Sequence, residues 1–307
     1  MNRKIRLRCH AKINLSLDVT GRREDGYHTL ESIFQSVTVY DILTVSVQSG
    51  NGIVLRCNVA GLPCDERNLA YRAAQAMLEE SGIACKIVID LQKHIPSGAG
   101  MGGGSADAAG VLFALNKLMN CGYSNEKLRE IGIKLGADVP FLLMGGTALA
   151  EGIGEVLTAL PPLPELPLVI LKGRQGISTP KAYAAIDALE APFHPDTVQM
   201  RKAVETQDVA LLAQHCGNTF EGAVALADVE RAKAALLEDG ALCAVMTGSG
   251  SAVFGIFPDK VSAQACAEKR RTDFVFAQFC TTTAKPQLVL RTRRKHRRKR
   301  QQRTGTE

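Results

Sequence analysis

Pro96-Ser97-Gly98-Ala99-Gly100-Met101-Gly102-Gly103-Gly104-Ser105-Ala106-Asp107-Ala108-Ala109 is the stretch from which the rest of the chain can be read. Glycines at 98, 100, 102, 103 and 104 let the backbone approach a bulky anion and turn its N–H groups toward it. A helix opening near Ser105, with Ala108, Leu112, Leu115 and Met119 on its apolar face, would aim its positive end at the same place. That is the physics of a triphosphate cradle. The competing reading is a tight turn without a ligand, which leaves the entropic cost of so many glycines uncompensated. Gly98, Gly100 and Gly103 also fit Gly-x-Gly-x-x-Gly, but Pro96 and several residues separate them from the preceding strand. No acidic residue ends a second strand at the spacing a dinucleotide needs. A Gly-Lys-Ser/Thr closure is missing too, as are the His-Arg-Asp and Asp-Phe-Gly signatures of protein kinases.

Working outward, residues 12–20 and 36–47 are rich in Val, Ile, Leu and Thr and predict strands, as do 85–91. Residues 68–80 carry Leu69, Ala73, Ala76 and Met77 at helical spacing. Ser124 can cap a helix bearing Leu128, Ile131 and Leu135, which Gly136 would stop. The densest proline cluster lies at 160–167 and is the natural domain junction. Beyond it, strands at 168–171, 243–246 and 252–257 interleave with helices at 181–189 and 229–238, an α+β pattern. The expected division is 1–160, 161–290 and a separate tail, 291–307.

That tail holds 9 of the 37 basic residues, and the remaining chain, with 28 basic and 30 acidic residues, has a net charge of −2. A like-charge run of this kind is expected to be disordered, touching RNA or acidic surfaces only nonspecifically and in a salt-dependent way. The near-neutral body offers no basic, aromatic-rich stripe for a specific nucleic-acid partner. No apolar run approaches the roughly 18 residues of a membrane span, and the N-terminus does not read as a secretory signal, so a cytoplasmic protein is expected. The 9 cysteines are scattered, without Cys-x-x-Cys pairs, and read as reduced thiols with no cysteine metal cage.

Three stretches together resemble the GHMP kinases: the glycine loop at 96–109, Ala11-Lys12-Ile13-Asn14-Leu15, and Thr247-Gly248-Ser249-Gly250-Ser251-Ala252-Val253-Phe254. The block Thr20-Gly21-Arg22-Arg23-Glu24-Asp25-Gly26-Tyr27-His28 is similar to a branch whose alcohol substrate carries a cytidine diphosphate. Gly136-Ala137-Asp138-Val139-Pro140-Phe141 and Ser178-Thr179-Pro180-Lys181-Ala182-Tyr183 resemble its catalytic and second substrate segments. Ala106 departs from the pattern, where many members carry a serine. The resemblance implies a two-domain α+β GHMP kinase fold, with a ribosomal-protein-S5-like N-terminal domain and a ferredoxin-like C-terminal one. ATP and substrate would meet between them, in a step of non-mevalonate isoprenoid synthesis. A homoserine- or mevalonate-type kinase is the alternative, and a non-enzymatic nucleic-acid binder a remote third. Either a monomer or a homodimer is expected.

By the same resemblance Asp138 would be the general base and Lys12 its electrostatic partner. From the residues alone, Asp138 could equally cap a helix before Pro140, and Lys12 could be an exposed strand lysine. Asn14 shares the strand face of Lys12 and could reach the same hydroxyl. Lys93, Pro96, Gly98, Gly100, Gly102, Gly103, Gly104 and Ser105 would hold ATP, with Mg²⁺ arriving on the nucleotide and no metal-ligating cluster in the chain. Tyr27 would stack on the pyrimidine and His28 bond its edge, with Tyr183 on the other side. Thr179, Ser249 and Gly250 would contact the substrate.

Overall fold

The computed structural model of the protein describes residues 3–290; the disordered tail expected at 291–307 lies outside the described residues. The chain opens on two long antiparallel strands, β1 (Arg3–Arg22) and β2 (His28–Gln48). Both exceed the lengths read from sequence. Hydrophobic alternation marks only the part of a strand that faces a core, whereas ladder bonds carry the pair on to a turn at 23–27. There Arg23 N donates to the Tyr27 carbonyl (2.7 Å).

The first lobe continues through β3 (Gly52–Cys57), α1 (Leu69–Ser81), β4 (Lys86–Gln92), α2 (Gly103–Met119), α3 (Asn125–Ile133), α4 (Val139–Met144), β5 (Thr147–Glu151) and β6 (Val156–Ala159). Asn68 caps α1 by accepting from Ala70 N, and Ser124 caps α3 by accepting from Lys127 N. The second half supplies β7 (Pro167–Lys172), α5 (Thr179–Asp187), α6 (Thr197–Thr206), α7 (Val209–His215), β8 (Gly217–Asn218), α8 (Phe220–Ala223) and α9 (Ala227–Glu238). It ends with β9 (Cys243–Met246), β10 (Val253–Ile256), α10 (Lys260–Lys269), β11 (Phe276–Thr281) and β12 (Gln287–Val289).

Two sheets result. One runs β12-β1-β2-β4-β3, with β5 and β6 extending from β2 and β8 parallel to β1. The other is antiparallel in the order β11-β7-β10-β9. With α9 and α10 as its crossovers, this second sheet is a split βαβ unit of ferredoxin-like order, and two α+β layers are present as expected. The proline run at 160–167 leads from β6 into β7, yet β8 and β12 return to the first sheet, so residues beyond 160 complete it.

The cores explain the sequence pattern. Leu168-Val169-Ile170-Leu171 is a continuous apolar run because β7 is buried on both faces. Leu168 and Ile170 join the core of the first sheet, and Val169 and Leu171 join the one under α9 and α10. Helix α2 presses on β1 so closely that a Cβ at Gly110 would lie 2.4 Å from Cys9 Sγ. All nine cysteines are free. Among the described residues no helix is long and apolar enough to cross a membrane.

Candidate active site

The glycine loop leaves β4 through a charged staple. The carboxylate of Asp41 accepts from the backbone N–H groups of His94 (2.5 Å) and Ile95 (2.8 Å), fixing the chain just before Pro96. Gly98, Gly100 and Gly102 then take φ values of +59°, +74° and +67°, the left-handed region that favours glycine. Helix α2 starts at Gly103, two residues earlier than expected. Gly103 fits there because a side chain would press on Ile95 and the Lys93 ammonium. The N-cap, Gly102, has no side chain to offer, so no cap competes for the first-turn N–H groups.

A second glycine loop, 247–251, lies between β9 and β10 and meets the first backbone to backbone. A Cβ on Gly100 would sit 2.0 Å from the Thr247 carbonyl oxygen. Asn218 donates from Nδ2 to the carbonyls of Met246 (2.6 Å) and Gly248 (2.9 Å). Asn14, fully buried, is the hub between the loops. Its Oδ1 accepts from Gly248 N (3.0 Å), Thr247 Oγ1 (3.2 Å) and Lys12 Nζ (2.9 Å), while its Nδ2 donates to Ser32 Oγ. Gly100→Ala should therefore cost about 2–4 kcal/mol, from left-handed strain plus overpacking. Urea unfolding would read this as a lowered midpoint, and an unchanged midpoint would contradict the contact.

Lys12 and Asp138 come together beside this cradle. Lys12 N donates to the Met101 carbonyl (3.1 Å), tying β1 to the loop. Its side chain is only 5% exposed, with Nζ 4.6 Å over the Phe34 ring and 3.7 Å from Asp138 Oδ1. A Cβ on Gly102 would lie 3.3 Å from Lys12 Cγ and 3.4 Å from Asp138 Oδ2. Asp138 does occupy the N-cap of α4, as one sequence reading allowed, but its side chain makes no capping bond there. It is 32% exposed and opens on the cleft.

Every residue expected at the site lines this one cleft of about 940 Å³. Some are already engaged. Lys93 does not reach freely into the cleft, because its ammonium is held between the carboxylates of Asp41 and Asp107 (2.7 Å to the latter). Burial pushes the Asp107 carboxyl up, Lys93 opposes this and Asp41 adds to it. Thr179 Oγ1 and Ser249 Oγ are hydrogen-bonded across the cleft at 3.0 Å.

At the far end, Tyr27 stands 62% exposed on the hairpin tip. Tyr183 stacks directly on His28, with ring centres 4.4 Å apart and planes within 15°, rather than facing it across an open slot. Burial, with the charge of Asp138, pushes the Tyr183 phenol up to about 12. His28 Nε2 lies 2.7 Å from Asp187 Oδ1, and Arg22 Nη1 donates to Asp187 Oδ2 (3.2 Å). Asp187 and Asn218 were not anticipated from sequence, and Thr247 entered only as the first residue of the second glycine motif. Asp187 sits one helical turn after Tyr183, which was its only available signal.

Comparison with known proteins points to one family. The families described as GHMP kinases N terminal domain and GHMP kinases C terminal match residues 68–146 and 200–275. The 4-diphosphocytidyl-2-C-methyl-D-erythritol kinase of Clostridium botulinum (strain Eklund 17B / Type B) is 43% identical over 88% of this chain and 96% of its own. That of Lachnospira eligens is 41% identical over 91% and 97%. A crystal structure of 4-(cytidine 5'-diphospho)-2C-methyl-D-erythritol kinase superposes with TM-score 0.78 at 34% identity, covering 92% of this chain and 99% of that one. Homoserine kinase from Cytophaga hutchinsonii, at 20% identity and TM-score 0.74 over 94% and 97% of the two chains, shares the fold.

Proposed function

The chain belongs to the GHMP kinases, in the branch of the 4-diphosphocytidyl-2-C-methyl-D-erythritol kinases, and we propose that it transfers the terminal phosphoryl of ATP to the 2-hydroxyl of that alcohol. The approach of Lys12 Nζ to Asp138 at 3.7 Å, with both side chains next to Gly102, carries this reading. The backbone N–H groups at the start of α2 and around Gly98–Gly102 would hold the phosphates. Asp138 would take the hydroxyl proton as the oxygen attacks phosphorus, the bond to the bridging oxygen breaks and ADP leaves. Lys12, its direction fixed by Asn14 Oδ1, would offset the charge on the transferred group.

No group of three or more His, Cys, Asp or Glu side chains suited to a metal exists among the described residues. We read Mg²⁺ as held chiefly by the nucleotide's own phosphates, with the Ser105 hydroxyl available at the helix start. We likewise propose a cytoplasmic enzyme, monomeric or homodimeric, with no specific nucleic-acid partner, in two domains that part near 160, the second of which returns β8 and β12 to the first sheet.

The test is an ADP-release assay with the cytidyl alcohol, homoserine and mevalonate side by side. The cytidyl alcohol should be favoured by at least roughly 10⁴ in kcat/KM, because the others leave the base-edge polar groups unpaired. Preferred turnover of homoserine or mevalonate would overturn the substrate assignment.

A further inference from the structure

We propose that Asp187 is a positioning residue that sets the pyrimidine selectivity of the site by fixing the tautomer of His28; this rests on the cytidyl-substrate reading above. An ionised carboxylate only accepts, so Asp187 Oδ1, 2.7 Å from Nε2, requires the proton to be on Nε2. The neutral ring then carries a lone pair on Nδ1. No protein atom among the described residues bonds Nδ1, and His28 lines the cleft.

The ring cannot easily turn to exchange its two nitrogens. Tyr183 covers one face at 4.4 Å, and Tyr183 is itself backed by Phe220, with ring centres 5.0 Å apart. Asp187 is fixed in turn, since Arg22 holds Oδ2 while His28 occupies Oδ1. Three elements therefore meet here: the end of β1, the start of β2 and the last turn of α5. Together they leave Nδ1 as the unbonded nitrogen of a ring that lines the cleft.

An acceptor matches the exocyclic amino group at the pyrimidine 4-position of cytosine, which donates. It opposes the 4-oxo group of uracil, which accepts. Without Asp187 the imidazole is free to carry its proton on either nitrogen and to meet either base. The site would then bind cytidyl substrate less well and discriminate less.

The experiment compares wild type with Asp187→Asn and Asp187→Ala on the cytidyl alcohol and its uridyl counterpart. The substitutions should raise KM for the cytidyl substrate roughly tenfold and lower the cytidyl/uridyl preference by a similar factor. The value of kcat at saturation and KM for ATP should stay within about twofold of wild type. Independently of any variant, ¹⁵N NMR of wild type should show His28 in the Nε2–H form, and Asp187→Asn should show a mixture of tautomers. An Nδ1–H signature in wild type, or an unchanged cytidyl/uridyl ratio in both variants, would overturn the role of Asp187. Failure of wild type to prefer the cytidyl over the uridyl alcohol would overturn it too, whereas absence of any turnover of the cytidyl alcohol by wild type would sink the substrate reading, a result separable from the others.

Discussion

Asp138→Asn should lower kcat by about 10²–10⁴ while the protein folds as before. The amide has nearly the shape of the carboxylate but cannot take the hydroxyl proton, so the loss falls on the chemical step. KM for ATP should move by no more than about threefold, because Asp138 sits beside Gly102 and not among the N–H groups that would hold the phosphates. Stability of Asp138→Ala separates this role from the helix-capping one, because asparagine caps a helix as well as aspartate does. A true cap costs about 1 kcal/mol when removed, but the Asp138 side chain makes no such bond, so the unfolding midpoint should barely shift. Steady-state kinetics of Asp138→Asn and urea unfolding of Asp138→Ala decide the matter. Retention of kcat within tenfold would remove Asp138 from the chemistry, and a clear stability loss with normal kcat would return it to the role of a cap.

Lys93→Met should be the most destabilising single change near the cleft, at about 3–5 kcal/mol. The ammonium is 7% exposed and flanked by Asp41 and Asp107, which are 0% and 3% exposed. Methionine keeps much of the volume but leaves two buried carboxylates without a counter-charge. Asp107 Oδ1 already has no hydrogen-bond partner, so the cluster has little capacity to reorganise. Because Asp41 also pins His94 and Ile95, the glycine loop should loosen with it and KM for ATP should rise as a consequence. Thermal unfolding and ATP kinetics distinguish the alternatives. A raised KM for ATP with unchanged stability would make Lys93 a nucleotide contact and not a structural cation.

The cradle was legible in the sequence because its constraints act on single residues. Positive φ at 98, 100 and 102 and close backbone approach at 100 each demand glycine, and that demand shows directly in composition. The α+β order was legible for a similar reason, since β7 and β9 are buried enough to leave continuous apolar runs. Strands β8 and β12, of two and three residues, carry too little pattern to read, so the return of the chain to the first sheet was invisible. The resemblance pointed to Lys12 and Asp138, but the residues alone left cap and base equally open for Asp138. Which reading holds depends on a contact between β1 and the start of α4 that no local pattern encodes. Asn14 was read as a substrate ligand from its strand face. The strand period gives direction but not the fact that Thr247 and Gly248 have come to meet it. Lys93 and Tyr183 line the cleft, but the hold of Asp41 and Asp107 on Lys93 and the stacking of His28 on Tyr183 join segments that no local pattern connects.

The most direct test of the proposed chemistry is a crystal structure with a non-hydrolysable ATP analogue and the cytidyl alcohol bound together. The triphosphate should lie on Gly98–Ser105, with its terminal phosphorus facing Lys12 and about 3–3.5 Å from a substrate hydroxyl hydrogen-bonded to Asp138. A triphosphate bound elsewhere, or one whose terminal phosphoryl points away from Lys12 and Asp138, would contradict it.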